Sequence, residues 1–114
     1  MPKMTGAEAM VGQLCIEDVD TVFALPGVQI MAAFDAIYKF RDQITLFQTR
    51  HEQATTFMAD GYARASGKVG VAMVVPGPGA LNAATGLATA YATSSPVLLI
   101  SGQIPSGAIG MDRG

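Results

Sequence analysis

The chain carries few side chains that can do chemistry: nine acidic and seven basic residues, one histidine, His51, and one cysteine, Cys15, in 114 positions. Those that could act fall in four short stretches. They are Pro26-Gly27-Val28-Gln29, Arg50-His51-Glu52, Pro76-Gly77-Pro78-Gly79 with Asn82 just beyond, and Ser101-Gly102-Gln103. Glu52 stands out by position, because its carboxylate comes right after a predicted strand, next to an apolar helix face, in the crevice where a ligand would sit. The plainer role for a glutamate in a helix's first turn is to face the macrodipole, worth about 0.3 to 1 kcal/mol. His51 has no carboxylate or nucleophile at a recognisable spacing and reads as a packing or hydrogen-bonding residue. Gln103 is an amide on a loop, either turned toward a crevice or solvated.

Pro76-Gly77-Pro78-Gly79 has the look of a phosphate cradle, since a helix start exposes backbone N–H groups to an anion. The pattern Gly77-x-Gly79-x-x-Asn82 lacks the third glycine of a dinucleotide fingerprint, and no acidic residue follows at ribose distance. No Gly-Lys-Ser/Thr is present either, which excludes a Walker loop. A tight strand-to-helix turn is the competing reading.

The elements that must position these stretches follow from periodicity. Thr5 with Glu8 makes a capping box, and Ala7, Met10, Val11, Leu14 and Cys15 then share a helical face. Thr21 to Leu25 is a short β-rich run stopped by Pro26-Gly27. Ile30, Ala33, Phe34, Ile37 and Tyr38 recur at helical spacing, and Ile44 to Phe47 reads as a second strand. A third helix is predicted from about His51 to Ser66, with Ala54, Phe57, Met58, Gly61, Tyr62 and Ala65 on one face and Gly67 as its stop. Val69 to Val75 reads as a strand covered on both faces. A fourth helix would carry Ala80, Ala83, Ala84, Leu87, Ala88 and Tyr91 on one face, and Val97 to Ser101 would be the last strand. Strands alternating with helices give the fold class α/β, a parallel sheet with helices on both faces and right-handed crossovers. Such sheets bind ligands beyond the carboxyl ends of their strands, where all four stretches would lie. After Ser101 only a loop-like tail follows, so residues 1–114 are expected to be part of a larger, apparently truncated domain.

Composition narrows the function classes. Half the residues are hydrophobic and 14% are charged, too apolar for a disordered chain. A formal charge of -2 without a basic block argues against nucleic acid as a partner. The apolar window from Val69 to Ala92 is broken by Pro76 to Gly79, so no membrane span is expected. A lone cysteine and no signal-peptide pattern fit a reducing, cytoplasmic setting.

Taken in order, Thr21-Val22-Phe23-Ala24-Leu25-Pro26-Gly27, Arg50-His51-Glu52-Gln53, Ala59-Asp60-Gly61-Tyr62-Ala63-Arg64-Ala65-Ser66-Gly67-Lys68, Gly77-Pro78-Gly79-Ala80-x-Asn82 and Ser101-Gly102-Gln103 resemble the amino-terminal pyrimidine-binding domain of thiamine diphosphate enzymes. The closest branch is that of acetolactate synthase and pyruvate oxidase, and the likeness runs from Thr5 to Asp112. It implies that Glu52, a carboxyl whose pKa an apolar crevice would raise, hydrogen-bonds N1′ of the aminopyrimidine, shares a proton with it and favours the tautomer whose exocyclic nitrogen deprotonates the thiazolium carbon. It implies further that Pro26, Val75, Pro78 and Asn82 line the aminopyrimidine, Asn82 by an amide hydrogen bond. Gly27 and Gln103 would border the 2-keto acid substrate, Gly27 by admitting it close to the backbone. The implied activity is a lyase or transferase that cleaves or ligates 2-keto acids. Val75-Pro76 replaces the Thr-Ser common in the synthases, so carboligases, decarboxylases and oxidases all fit.

The same resemblance implies Mg²⁺ and the diphosphate on a separate domain with a Gly-Asp-Gly segment that this sequence lacks, and it allows FAD. No metal ligand is expected in the chain itself. The implied partner is the diphosphate-binding domain of a second subunit in a homodimer or homotetramer, and the chain alone would be inactive. A non-catalytic α/β binding or subunit-assembly module, docking through the small residues Ala83, Ala84, Gly86 and Ala88, is the other class of function.

Overall fold

The computed structural model describes residues 3–111. Asp112, at the end of the family likeness, and Gly114 lie outside the described residues. Helix α1 (Gly6–Ile16) starts with the predicted capping box, Thr5 Oγ1 accepting from the Glu8 N–H at 3.1 Å and Glu8 accepting from the Thr5 N–H at 3.4 Å. Then follow β1 (Thr21–Ala24), a 3-10 turn (Val28–Ile30), α2 (Met31–Lys39), β2 (Thr45–Gln48), α3 (Glu52–Ser66), β3 (Gly70–Val74), α4 (Pro78–Ala92), β4 (Val97–Ser101) and a second 3-10 turn (Ser106–Ala108). The α/β alternation is as expected. Gly67 stops α3 at φ 74 and Gly77 precedes α4 at φ 68, left-handed backbone that glycine adopts without strain.

All strand pairs are parallel, in the order β2-β1-β3-β4. The central strand β3 is buried along its whole length. Strand pleating divides the core. Val22, Ala24, Val71 and Met73 pack with α1 and α2 residues such as Val11, Leu14, Ala33 and Ile37. Phe23 and Ala72 point the other way, toward Ala59 and Tyr62 of α3. Helices therefore cover both faces. The chain leaves β1 toward β2 across one face, and leaves β3 toward β4 across the other. The neighbouring strands β1 and β3 thus form the topological switch point, the place in such a sheet where a ligand crevice opens.

The inward faces of α3 and α4 differ from those predicted. The buried residues of α3 are Thr55, Thr56, Ala59, Asp60 and Ala63, while Phe57 is 38% and Met58 42% exposed. In α4 Gly79, Ala83, Gly86 and Ala90 are buried, whereas Ala84 and Ala88 are exposed and Tyr91 is 89% exposed. The cause is backbone proximity. A Cβ on Gly86 would meet Thr56 Oγ1 and stand 2.7 Å from the Phe57 nitrogen, and one on Gly70 would run into the Ala59 carbonyl. Helix α3 is sandwiched so closely between β3 and α4 that small and hydroxylated side chains fill the contact, with the buried carboxylate of Asp60 paired to Arg64. The hydroxyls are satisfied there: Thr56 Oγ1 donates to the Ala83 carbonyl at 2.6 Å, and Thr55 Oγ1 to the Glu52 carbonyl at 2.6 Å. Gly86 and Ala83, assigned above to a docking face, are thereby used inside the chain.

Candidate functional site

Every sequence-predicted site residue follows the carboxyl end of a strand, and the switch point gathers some of them. Glu52 opens α3 after β2. His51 caps that helix, its ring Nδ1 accepting from the Gln53 N–H at 3.0 Å, so its part here is the hydrogen-bonding one. The buried Thr49 braces the turn by donating to the His51 carbonyl at 2.9 Å. Glu52 Oε1 accepts from the Asn82 amide of α4 at 3.1 Å. On the other side of the carboxylate, a Cβ on Gly79 would stand 3.5 Å from Oε2 and 2.7 Å from a Val75 methyl. Val75 also presses on Gly27, where an added Cβ would run into its Cγ1. Gly27 is extended (φ -169), so space and not backbone conformation keeps it a glycine. Glu52, Val75, Gly79, Asn82 and Gly27 thus form one contact set drawn from α3, the β3–α4 turn, α4 and the β1 loop.

Pro26 and Pro78 are exposed on the loops that flank this set. Gln103 is not joined to it by any hydrogen bond. It stands beyond the edge strand β4, and its amide oxygen accepts from the Ile104 N–H at 2.8 Å. Gly102 holds that loop down, because a Cβ there would stand 2.6 Å from the Gln29 carbonyl oxygen.

The expected rise in the Glu52 pKa is not found. Its own backbone N–H and then the Asn82 amide hold the carboxyl below the usual carboxylate range, and a contribution from nearby His51 acts in the same direction. Partial burial pushes upward but is outweighed. The crevice wall of Val75 is apolar, yet the carboxylate stays half-buried at a helix start, where N–H donors favour its charged form.

A shallow hollow of about 390 Å³ borders the site, lined by His51, Gln53, Ala54, Phe57 and Met58. A separate groove of about 570 Å³ runs along α1 past Met4, Cys15 and Phe40 and shares no residue with the strand ends. Among the described residues no cluster of three His, Cys, Asp or Glu could hold a metal ion. No helix among them is long and apolar enough to cross a membrane.

The long motif from Ala59 to Lys68 acts elsewhere. Asp20, ahead of β1, accepts from the Tyr62 hydroxyl at 2.8 Å and from Lys68 Nζ at 3.1 Å. These bonds, with one from Thr21, lower the Asp20 pKa to about 2. Arg64 pairs with the buried Asp60 at 3.0 Å and donates to Thr93 at 2.9 Å, tying the carboxyl ends of α3 and α4 together. The motif is a structural fastening near the amino ends of the strands, at the end of the sheet opposite Glu52. Sequence reasoning missed the Asn82–Glu52 bond and the Thr55, Thr56 and Gly86 contacts; adjacent threonines inside a helix, able to bond back to its carbonyls, were the available signal.

An open parallel sheet with a carboxylate at its switch-point crevice defines a ligand-binding α/β domain, and comparison with known proteins makes the class specific. Residues 4–113 match the family described as thiamine pyrophosphate enzyme, N-terminal TPP binding domain. The chain belongs to that family. It is 49% identical over 112 residues to the acetolactate synthase large subunit of Haemophilus influenzae, covering 98% of this chain and 19% of that protein. Over 109 residues it is 50% identical to the probable acetolactate synthase large subunit of Methanococcus aeolicus, covering 96% and 18%. Against the acetolactate synthase isozyme 3 large subunit of Escherichia coli K12 the figures are 46% over 112 residues, 98% and 19%. The chain spans about a fifth of the length of these relatives.

Proposed function

We propose that this chain supplies the aminopyrimidine-binding half of a thiamine diphosphate site, with Glu52 as the proton-exchanging carboxyl, in an acetolactate synthase-like enzyme acting on 2-keto acids. The observation that carries the reading is the carboxylate of Glu52 at the switch point, one oxygen tethered by Asn82 and the other beside the bare Cα of Gly79. The donor set suits a flat, weakly basic heteroaromatic ring. Gly79 stays bare because a Cβ there would press on a Val75 methyl beside Oε2, and Val75, with Pro26 and Pro78 on the flanking loops, supplies the apolar side of the crevice. When bound, thiamine diphosphate supplies the carbon nucleophile and electron sink for cleaving or joining 2-keto acids.

The protein's own part is position and proton control. Glu52 offers Oε2 to the pyrimidine N1′ and holds the shared proton there. Covering the carboxylate with a ring removes water and pushes its pKa upward, from a start below the usual range, toward proton sharing. Gly27 and Gln103 border the substrate side. Phe57 and Met58, exposed beside the His51 hollow, meet the diphosphate-binding domain of a second subunit, which brings Mg²⁺ and the rest of the cofactor.

The test is Glu52→Gln in the full-length enzyme. Folding should survive, since the glutamine amide still spans to Asn82, whereas exchange of the thiazolium proton for deuterium should slow by about 10²- to 10⁴-fold. His51→Gln is the control and should have a smaller effect. Exchange and turnover at wild-type rates in Glu52→Gln would reduce Glu52 to a charge at a helix start.

A further inference from the structure

Asn82 is the only asparagine of the chain, and it sits in the second turn of α4 with its side chain exposed. Its amide is nevertheless committed, donating across 30 positions of sequence to Glu52 Oε1 at 3.1 Å. This is the bond by which α4 reaches the carboxylate. Just below it, Thr56 Oγ1 donates to the Ala83 carbonyl at 2.6 Å, and Gly86 lets the two helices touch backbone to side chain. The spacing of α3 and α4 is therefore fixed by rigid contacts one turn from the Asn82–Glu52 pair, so the amide is delivered to Oε1 and does not wander to it. Oε2 lies toward Gly79.

We propose that Asn82 is a positioning residue for Glu52: it claims Oε1, fixes the plane of the carboxylate, and leaves Oε2 as the oxygen that exchanges the proton. The inference deepens the reading of Glu52 given above and rests on it for its catalytic meaning. An amide suits the task because it donates a hydrogen bond without a charge of its own. A lysine would pin the carboxylate in its charged form, and an aspartate would repel it. Among the described residues, His51 is the one other ionisable group that acts on Glu52. The β3–α4 turn and the start of α4 present Val75, Gly79 and Asn82, the β1 loop presents Pro26 and Gly27, and the neighbouring ionisable side chains, Arg50 and His51, are on its own loop.

The bond can be tested without cofactor. In the cofactor-free full-length enzyme, carbon-13 NMR of labelled glutamate carboxyls identifies Glu52 as the signal lost in Glu52→Gln. Removal of a hydrogen bond to the charged form in Asn82→Ala should raise the Glu52 pKa by about half a unit to one unit. Asn82→Asp should raise it further through like-charge repulsion, and Asn82→Gln should recover part of the wild-type value. Alanine is the better helix former, so α4 should persist, and Asn82→Asp and Asn82→Gln decide the matter if it does not. An unmoved Glu52 titration in folded Asn82→Ala or Asn82→Asp overturns the proposal.

In the full-length enzyme the acid limb of the kcat/KM pH profile should move upward with the NMR value, while KM for the 2-keto acid changes little. A shifted NMR titration with an unmoved acid limb would uphold Asn82 as the residue positioning Glu52 and would instead refute Glu52 as the proton-exchanging group.

Discussion

Two glycines in adjacent helices should respond in opposite directions to the same substitution. Gly61 lies in the middle of α3 with nothing within 4 Å of where its Cβ would be, so Gly61→Ala gains helix propensity alone, about 0.8 to 1 kcal/mol. Gly86 in α4 gains the same from alanine. Its Cβ, however, would fall on Thr56 Oγ1, 2.7 Å from the Phe57 nitrogen and 2.8 Å from Thr56 Cβ. Two of those atoms belong to backbone or to a β-carbon and cannot swing away. Overpacking of that kind costs about 1 to 3 kcal/mol, and losing the Thr56 bond to the Ala83 carbonyl adds about 1 kcal/mol. The net for Gly86→Ala is a destabilisation of about 1 to 3 kcal/mol. At about 4 °C per kcal/mol, Tm rises by about 4 °C in Gly61→Ala and falls by about 4 to 12 °C in Gly86→Ala. Thermal melts followed by circular dichroism measure both. The site should register the change as well. Opening α3 from α4 by about 0.7 Å to restore ordinary contact would stretch the 3.1 Å Asn82–Glu52 bond beyond hydrogen-bond range. Equal stabilisation by the two substitutions would refute the close packing of α3 on α4, and with it the mechanical support of Glu52.

Other perturbations probe the crevice and the opposite end of the sheet separately. Gly27→Ala drives a Cβ into Val75 and should destabilise by about 1 to 3 kcal/mol; adding Val75→Ala makes room, so denaturant unfolding of the double variant should show recovery where two independent sites would show a sum. Asp20 titrates at about 2 when folded, against 3.8 for the ordinary carboxyl. A depressed folded pKa gives stability that is present above the unfolded value and lost as pH falls. The stability gap between wild type and Asp20→Asn, read from urea midpoints, should therefore be widest above about pH 4 and close between about pH 4 and 2. A gap independent of pH would mean that the Tyr62 and Lys68 contacts to Asp20 do not act through its charge.

The strands and the start of α1 could be read from the sequence because their signals are local: the capping box at Thr5, the β-branched run into Pro26-Gly27, and the apolar stretch from Val69 to Val75, of which Gly70–Val74 forms the strand. The inward faces of α3 and α4 could not. Apolar spacing favoured Phe57, Met58 and Tyr91, but the packing selects for closeness, and Thr56, Ala59, Ala83 and Gly86 are what allow helix, helix and sheet to approach. Burial there follows side-chain size before hydrophobicity. The position of Glu52 after β2 was legible for the same local reason, while its proton affinity was not. The apolar crevice expected around it suggested desolvation, but the groups that act most on the carboxylate are N–H donors, its own backbone N–H and the amide of Asn82 thirty positions away.

Helix α3 accordingly serves both ends of the strands. Its first turn presents Glu52 at the crevice, and its last turns carry Asp60, Tyr62 and Arg64 into fastenings with Thr93 and Asp20. Between them Thr56 and Ala59 are clamped by Gly86 and Gly70. A helix fixed at its far end and its middle cannot slide along its axis, so the height of Glu52 above the strand ends is set by contacts remote from it. Within the motif from Ala59 to Lys68 these contacts are made by Ala59, Asp60, Tyr62, Arg64 and Lys68. The motif holds the helix in register, and the register places the carboxylate.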